Sequence, residues 1–344
     1  MDGARSWQAG AVAAVPEAHG RNGMNGLDPA LGTAENYRRF AMHEAAGRSP
    51  AYERLAYAVA EDDLVLSFLE DMPAPKRQPN LVFAAARYIL GSPPGPASLR
   101  SLVTDMPAKL AAVLRARRTQ TNEAARCALF LPVLAALPQP LALLEVGAAA
   151  GLTLLPDIYS YDYEGHLVTG LDVEAPTLSC RARGPVPLPR QAPQVVWREG
   201  IDLNPLDVND EDDMAWLSCL VWPDEAGRAE RLEAAVKTAR RRPPVIHRGD
   251  LLDDLAPVAA RSPHGATLVV YHSGVLAYVD EAKRRAFGAA VASLGAVWLS
   301  NEAAVVLPDV ATGLSPGDFV LVRDGTELVA RSDPHATWME WLAR

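Results

Sequence analysis

Along residues 34–136 the apolar positions recur at helical spacing. Tyr37, Phe40 and Ala41 share one face, as do Tyr52, Leu55, Ala56 and Val59. Ser49 followed by Pro50 predicts a helix start, because the hydroxyl caps the first turn and a proline N–H is not missed there. Leu64, Phe68 and Leu69 predict a second helix, and Leu81, Ala84, Ala85 and Tyr88 a third. Further helices are expected over 108–117 and 122–136, with a loop at Pro93, Pro94 and Pro96. After Pro138 and Pro140 the pattern changes. Short β-rich runs at 141–146, 195–199, 245–248, 267–271 and 297–300 alternate with helical stretches at 229–240 and 281–294. That order predicts a parallel sheet with crossover helices. Near the end, Asp324-Gly325 between two β-rich runs predicts a tight hairpin.

Three regions follow. Residues 1–33 are rich in Gly and Ala without periodicity and are expected to be a disordered leader. Residues 34–138 form a helical lid or substrate region, and 139–344 a Rossmann-like domain interrupted by an insertion at about 161–194. Composition narrows the function. With 49% hydrophobic and 22% charged residues, a chain of 344 residues can bury an α/β core unaided. Its formal charge of −9 repels polyphosphate, so nucleic acid is not an expected partner. Arg115, Arg117 and Arg118, and Arg240 to Arg242, read as solvated helix ends. Cys127, Cys180 and Cys219 have no CxxC spacing, which argues against a disulfide framework and a zinc site and fits a reducing cytoplasm. No apolar run reaches the ~18 residues of a membrane span. No metal is expected.

The strongest chemical signal is the run from Leu143 to Gly151, in which Glu145, Gly147, Ala149 and Gly151 stand at alternate positions. A buried strand would end in a small-residue turn that opens a helix, whose N–H groups face a ligand. A dinucleotide fingerprint needs a small residue where Leu152 stands, so that register is wrong. The run instead resembles the first motif of class I S-adenosylmethionine-dependent methyltransferases, with Ala149 in place of the middle glycine. Pro156 must kink or stop the following helix.

The later strands continue the resemblance. Asp202, at the end of a second strand, matches the acidic residue that holds the ribose hydroxyls. Asp172 is the competitor; Asp202 is favoured because a long helix and another strand follow it. Asp250 matches the acidic residue beside the adenine, with a helix cap as its alternative. Tyr271 and His272 end a fourth strand and Glu302 a fifth, which makes them the expected catalytic residues, His272 as general base. Ser273 lacks the small flanking residues of a nucleophile elbow, since Tyr271 and Val275 stand there.

These motifs, with the phrases Arg77-Gln78-Pro79-Asn80, Gln120-Thr121-Asn122-Glu123 and Gly200 to Asp207, resemble a family of bacterial proteins grouped as domain of unknown function 2332. The resemblance spans about residue 34 to the end and implies that Arg77, Gln78, Asn80, Gln120, Asn122 and Glu123 belong to the family pattern. Their clustering at two helix starts marks them as the expected substrate-facing residues; ordinary caps and turns are the alternative. The expected protein is therefore a class I methyltransferase sheet with an amino-terminal helical lid. It would take S-adenosylmethionine as cofactor and transfer its methyl group to a small polar acceptor. The alternatives are a non-catalytic sensor of the same cofactor or a nucleoside, and a hydrolase or lyase using His272 and Glu302.

Overall fold

A computed structural model of the chain describes residues 30–343 apart from 121 and 316. The expected leader lies, up to residue 29, outside the described residues. Six helices follow: α1 Thr33–Phe40, α2 Pro50–Ala60, α3 Asp63–Glu70, α4 Pro79–Leu90, α5 Pro96–Asp105 and α6 Pro107–Ala116. Ser49 caps α2 by accepting from the Tyr52 N–H at 3.2 Å. Pro96 does not prolong a loop but starts α5; proline is tolerated in a first turn, and the Ser98 hydroxyl accepts from the Gly95 N–H at 2.9 Å. These helices bury their apolar stripes together. Tyr37, Phe40 and Tyr52 each meet Phe83 edge-on, and Trp222 from far along the chain closes the cluster against Phe40 and Tyr52.

The rest of the chain contributes helices α7 Cys127–Ala136, α8 Glu211–Cys219, α9 Ala226–Arg241, α10 Leu255–Ala259 and α11 Glu281–Ser293. Its strands are β1 Leu141–Val146, β2 Ser160–Tyr163, β3 His166–Val168, β4 Thr177–Ser179, β5 Arg181–Arg183, β6 Val195–Asp202, β7 Val245–Arg248, β8 Thr267–Ser273, β9 Val297–Ala303, β10 Phe319–Arg323, β11 Glu327–Ser332 and β12 Trp338–Trp341. Among the described residues a nine-stranded sheet runs β5-β12-β11-β10-β9-β8-β1-β6-β7. The strands β7-β6-β1-β8-β9 are mutually parallel; β10, β11 and β12 continue the sheet antiparallel. The fold is mixed α/β with a large, mostly parallel central sheet. The chain leaves β1 toward β6 and later returns to its other side at β8, which makes the β1–β8 tips a switch point.

The first crossover departs from expectation. No helix opens at Gly151; a single 3-10 turn, Leu152–Leu154, ends before Pro156, which cannot donate its N–H and clashes with the carbonyl four residues back. The chain then builds the small sheet β3-β2-β4 within the expected insertion. The sheet face left bare is covered by α7, where Phe130 and Leu134 pack with Leu141, Leu143, Tyr271 and Leu299. α7 is apolar on every side, as a helix buried all round must be. The opposite face is covered by α10 and α11, with Leu144, Val270 and Phe287 in one cluster. The helical unit α1–α6 rests on α8 and the segment after it, with Trp216 and Trp222 in its core, and its Arg48 reaches the β11–β12 turn. Gln120, Asn122 and Arg126, just before α7, lie against the segments that follow β6, β1 and β8. Among the described residues no helix is long and apolar enough to cross a membrane.

Candidate functional site

The loop after β1 has the expected left-handed backbone, with positive φ at Gly147, Ala149 and Gly151. Most of its amides, however, are spent internally. Gly147 and Ala148 donate to the Ile201 carbonyl, Gly151 to Ala148, and Leu152 to the Asn122 side chain at 2.8 Å. The Asp202 carboxylate stands at the tip of β6 beside this loop, where it accepts from the Ala149 N–H at 2.8 Å and the Asn204 N–H at 2.7 Å. A Cβ on Gly147 would collide with Val275, and one on Gly151 with Pro244. These glycines make room for the protein's own side chains. Asp172 is no rival at the main sheet: it caps a turn between β3 and β4 and pairs with Arg241 at 2.8 Å. Asp250 caps its own turn through the Leu252 N–H and binds Lys283 at 2.6 Å.

The residues expected to be catalytic have other work. His272 is fully buried under α11, on the sheet face away from the β1 loop's packing. The Trp298 indole N–H donates to its Nε2 at 3.0 Å, so the ring proton sits on Nδ1 and is donated to Glu302 at 2.7 Å. The same Glu302 oxygen accepts from the N–H groups of Val275 and Leu276 at 2.8 and 3.0 Å. This pair fastens the β8 loop through one Glu302 oxygen, while the other, Oε2, is buried without a partner. Tyr271 is buried beneath α7 and donates its hydroxyl to the Thr153 carbonyl at 3.0 Å.

Strand alternation decides which side chains share a face. On β8 and β9 the neighbours of His272 and Glu302, namely Ser273 and Asn301, point to the other face, that of Tyr271, where the Asn301 amide donates to the Ser273 hydroxyl at 2.7 Å. Arg126, at the start of α7, reaches into this place. Its side chain is only 5% exposed, donates to the Ser273 and Pro334 carbonyls at 3.1 and 3.0 Å, and lies over the Phe319 ring. Its second terminal nitrogen has no hydrogen-bond partner among the described residues. Three buried polar atoms nearby are likewise unpartnered: Asn301 Oδ1, Ser332 Oγ and His335 Nδ1. Glu145 faces the same side from β1. Thr153 donates to one of its oxygens, and the other is buried without a partner.

The six family-pattern residues divide. Arg77 donates to the Met72 and Glu70 carbonyls, Gln78 to Pro75, and Asn80 accepts from the Trp222 indole at 2.9 Å; all three organise the helical unit. Gln120, Asn122 and Glu123 lie at the tips. Gln120 exchanges two hydrogen bonds with Asn204, and Asn122 holds the β1 loop. Glu123 accepts from Arg228 at 2.9 Å and Arg231 at 2.7 Å. Burial pushes its carboxyl up, but Arg231 and Arg228 together outweigh this and hold it below the ordinary range. A cavity of about 20 Å³ beside Gln120, Asn122 and Glu123 has room for one water.

The chain matches over residues 34–341 the model of a family described as "Uncharacterized protein conserved in bacteria (DUF2332)". The chain belongs to this family. No curated protein and no solved structure matches it. Within this DUF2332 chain, residue spacing had pointed to neither Arg126, Asn301 and His335 nor the arginines of α9. Their one signal in the sequence is Arg126 inside an otherwise apolar run, where an unpaired charge must find a use.

Glu145 gives this site a measurable pH signature. Burial pushes its carboxyl up to about 8, with the Asp202 charge adding to the rise and the Thr153 hydrogen bond opposing it. The folded chain thus holds a proton that the unfolded chain, near the ordinary carboxylate value, releases. This contribution is complete below about pH 4.5 and fades as pH rises toward about 8, at about 1.4 kcal/mol per pH unit. Glu44, raised to about 7, adds a slope of the same sign. Glu145→Gln should therefore flatten the denaturation profile between pH 5 and 8 and leave the Glu44 part. Parallel profiles of variant and parent, measured by urea unfolding, would show that Glu145 is already ionised.

Proposed function

We propose that this chain is an enzyme acting on a small polar molecule held at the tips of β8 and β9, against Arg126. The observation that carries this reading is the set of buried, unpartnered polar atoms around one guanidinium: Asn301 Oδ1, Ser332 Oγ and His335 Nδ1. Buried polar groups in a native fold are almost always paired, so atoms left together without partners mark a place where a ligand or ordered water completes the bonding. Glu145, carrying a proton near neutral pH on the same face, supports a reaction rather than storage, because titration near working pH suits proton transfer.

S-adenosylmethionine does not fit the residues as they stand. In the β1 loop the N–H groups of Gly147, Ala148, Ala149, Gly151 and Leu152 are bonded within the protein, Val275 fills the approach to Gly147, and both Asp202 and Asp250 are engaged within the protein. Methyl transfer remains the second reading, favoured by the parallel order β7-β6-β1-β8-β9 with Asp202 at the tip of the second strand. An open groove of about 320 Å³ beside the loop, walled by Ala150, Leu206, Val208, Pro244 and Ile246, also favours it.

One experiment separates the two. A thermal-shift panel of organic acids, sugars, nucleosides, NAD and S-adenosylmethionine is run on the parent chain, Asn301→Leu, Asp202→Ala and Asp172→Ala. We expect a stabilising metabolite whose effect is lost in Asn301→Leu and kept in the two aspartate variants. A shift from S-adenosylmethionine alone, lost in Asp202→Ala and kept in Asn301→Leu, would replace the first reading by the second. A panel with no shift would discard both.

A further inference from the structure

Around the candidate site cations outnumber the carboxylates bonded to them. Arg126 comes from the start of α7, Arg228 and Arg231 from α9, and Arg48 from the turn before α2. They meet where the β11–β12 turn presents His335. Two carboxylates touch these guanidiniums. Glu123 binds Arg228 and Arg231, and Glu225 binds Arg228 and, at 3.1 Å, Arg48. Neither touches Arg126. Asp333 and Asp224 lie close by, but Asp333 accepts from the N–H groups of His335, Thr337 and Trp338, and Asp224 from Ser49 and Ala51. Glu302 and Glu145 act on Arg126, and Glu44 on Arg48, only through space; in direct contact, four guanidiniums stand against two carboxylates.

His335 reads the sign of this place. Arg48 approaches its Nε2 at 2.8 Å, and a guanidinium only donates, so Nε2 accepts and the ring proton lies on Nδ1. That Nδ1–H is buried and points at no acceptor. Burial, then Arg228, Arg126, Arg48 and Arg231, hold the ring far below its ordinary titration range. A neutral histidine donating into an arginine-rich pocket offers hydrogen bonds outward and has no acceptor to meet them. Arg126 is in the same position, its charge buried with carbonyl partners alone. Glu123, Glu302 and Glu145 act on Arg126 through space but none bonds it; buried donors without a direct acceptor are costly, so an anion completes the arrangement.

We propose that Arg126, Arg48 and the His335 Nδ1–H bind the anionic group of the substrate, a carboxylate or a phosphoryl group, with Arg228 and Arg231 supplying the surrounding field. This rests on the reading that a small molecule occupies the tips of β8 and β9, and names its chemical class. Guanidinium groups suit both anions because their paired N–H groups match two oxygens. Glu123 then has a positioning role: it holds Arg228 and Arg231 in place at the pocket wall.

The test uses the full chain and two probes, inorganic phosphate and acetate, titrated calorimetrically at constant ionic strength against sodium chloride. We expect at least one to bind in preference to chloride. Tighter phosphate binding identifies a phosphoryl group, and acetate binding as tight as phosphate a carboxylate. Arg126→Gln should abolish the binding. Because Arg126 is buried and that variant is at risk of misfolding, the half-exposed Arg48→Gln is the second arm, with an expected weakening of about tenfold or more, the worth of one charge-assisted hydrogen bond. Arg285→Gln, on the outer surface of α11 and paired with Glu281, should bind as the parent does. Binding of neither anion above chloride, or equal binding in Arg48→Gln and the parent, would overturn the proposal. A metabolite that depends on Asn301 but is displaced by neither anion would overturn it too, and leave the tip site standing.

Discussion

Glu302→Ala should cost the fold about 3–5 kcal/mol, a large share of the ~5–15 kcal/mol that stabilises a typical domain. Glu302 is fully buried, and one of its oxygens collects His272 Nδ1–H and the N–H groups of Val275 and Leu276. Alanine leaves three donors without an acceptor, each carrying a desolvation penalty of about 1–3 kcal/mol. Denaturant unfolding measures the loss. Glu302→Gln keeps an acceptor oxygen and should lose less. If instead Glu302→Ala unfolds like the parent, the pair is not a structural fastening. The hydrolase or lyase reading built on His272 and Glu302 would then return.

Gly147→Ala is the second large effect, with an expected loss of about 3 kcal/mol or more. Gly147 has φ 72°, where a side chain costs on the order of 1–3 kcal/mol in backbone strain. The added methyl also runs into Val275, and overpacking costs about as much again. The two causes separate in a double-mutant cycle. Val275→Ala removes the obstacle but not the strain, so the double variant should recover part of the loss. Strict additivity in urea unfolding would show that Val275 does not fill the space above Gly147. Unchanged stability with lost S-adenosylmethionine binding would return that space to a ligand.

Both variants bear on what could be read from residues alone. The division of the chain into a helical part and a mostly parallel sheet was legible because apolar periods of 3.6 and runs of β-branched residues are local properties. So were the strands carrying Glu145 and Asp202, and the hairpin at Asp324-Gly325. The helices α5 and α8 were not. Pro96 reads equally as a loop or a first turn, and α8 buries Trp216 against the distant helical unit with little periodicity of its own. The expected helix after Gly151 failed because Pro156 and the excursion β2–β4 outweigh the small-residue signal.

The candidate site shows the same division more sharply. Sequence by itself determined that polar residues stand at the ends of β8 and β9, and that Gln120, Asn122 and Glu123 precede a buried helix. Which of the polar residues face one another was decided by the tertiary structure. A strand presents alternate residues to opposite faces, so the choice between His272 and Ser273, or Glu302 and Asn301, turns on which helix covers which side. Here α7, arriving before β1, takes the face that the missing crossover helix left bare, and brings Arg126 with it. Arg48, the α9 pair Arg228 and Arg231, and His335 join from three elements far apart in the chain. Their convergence is a long-range property: charges that near neighbours cannot pair are brought together only when the sheet, the helical unit and the β11–β12 turn have closed around them.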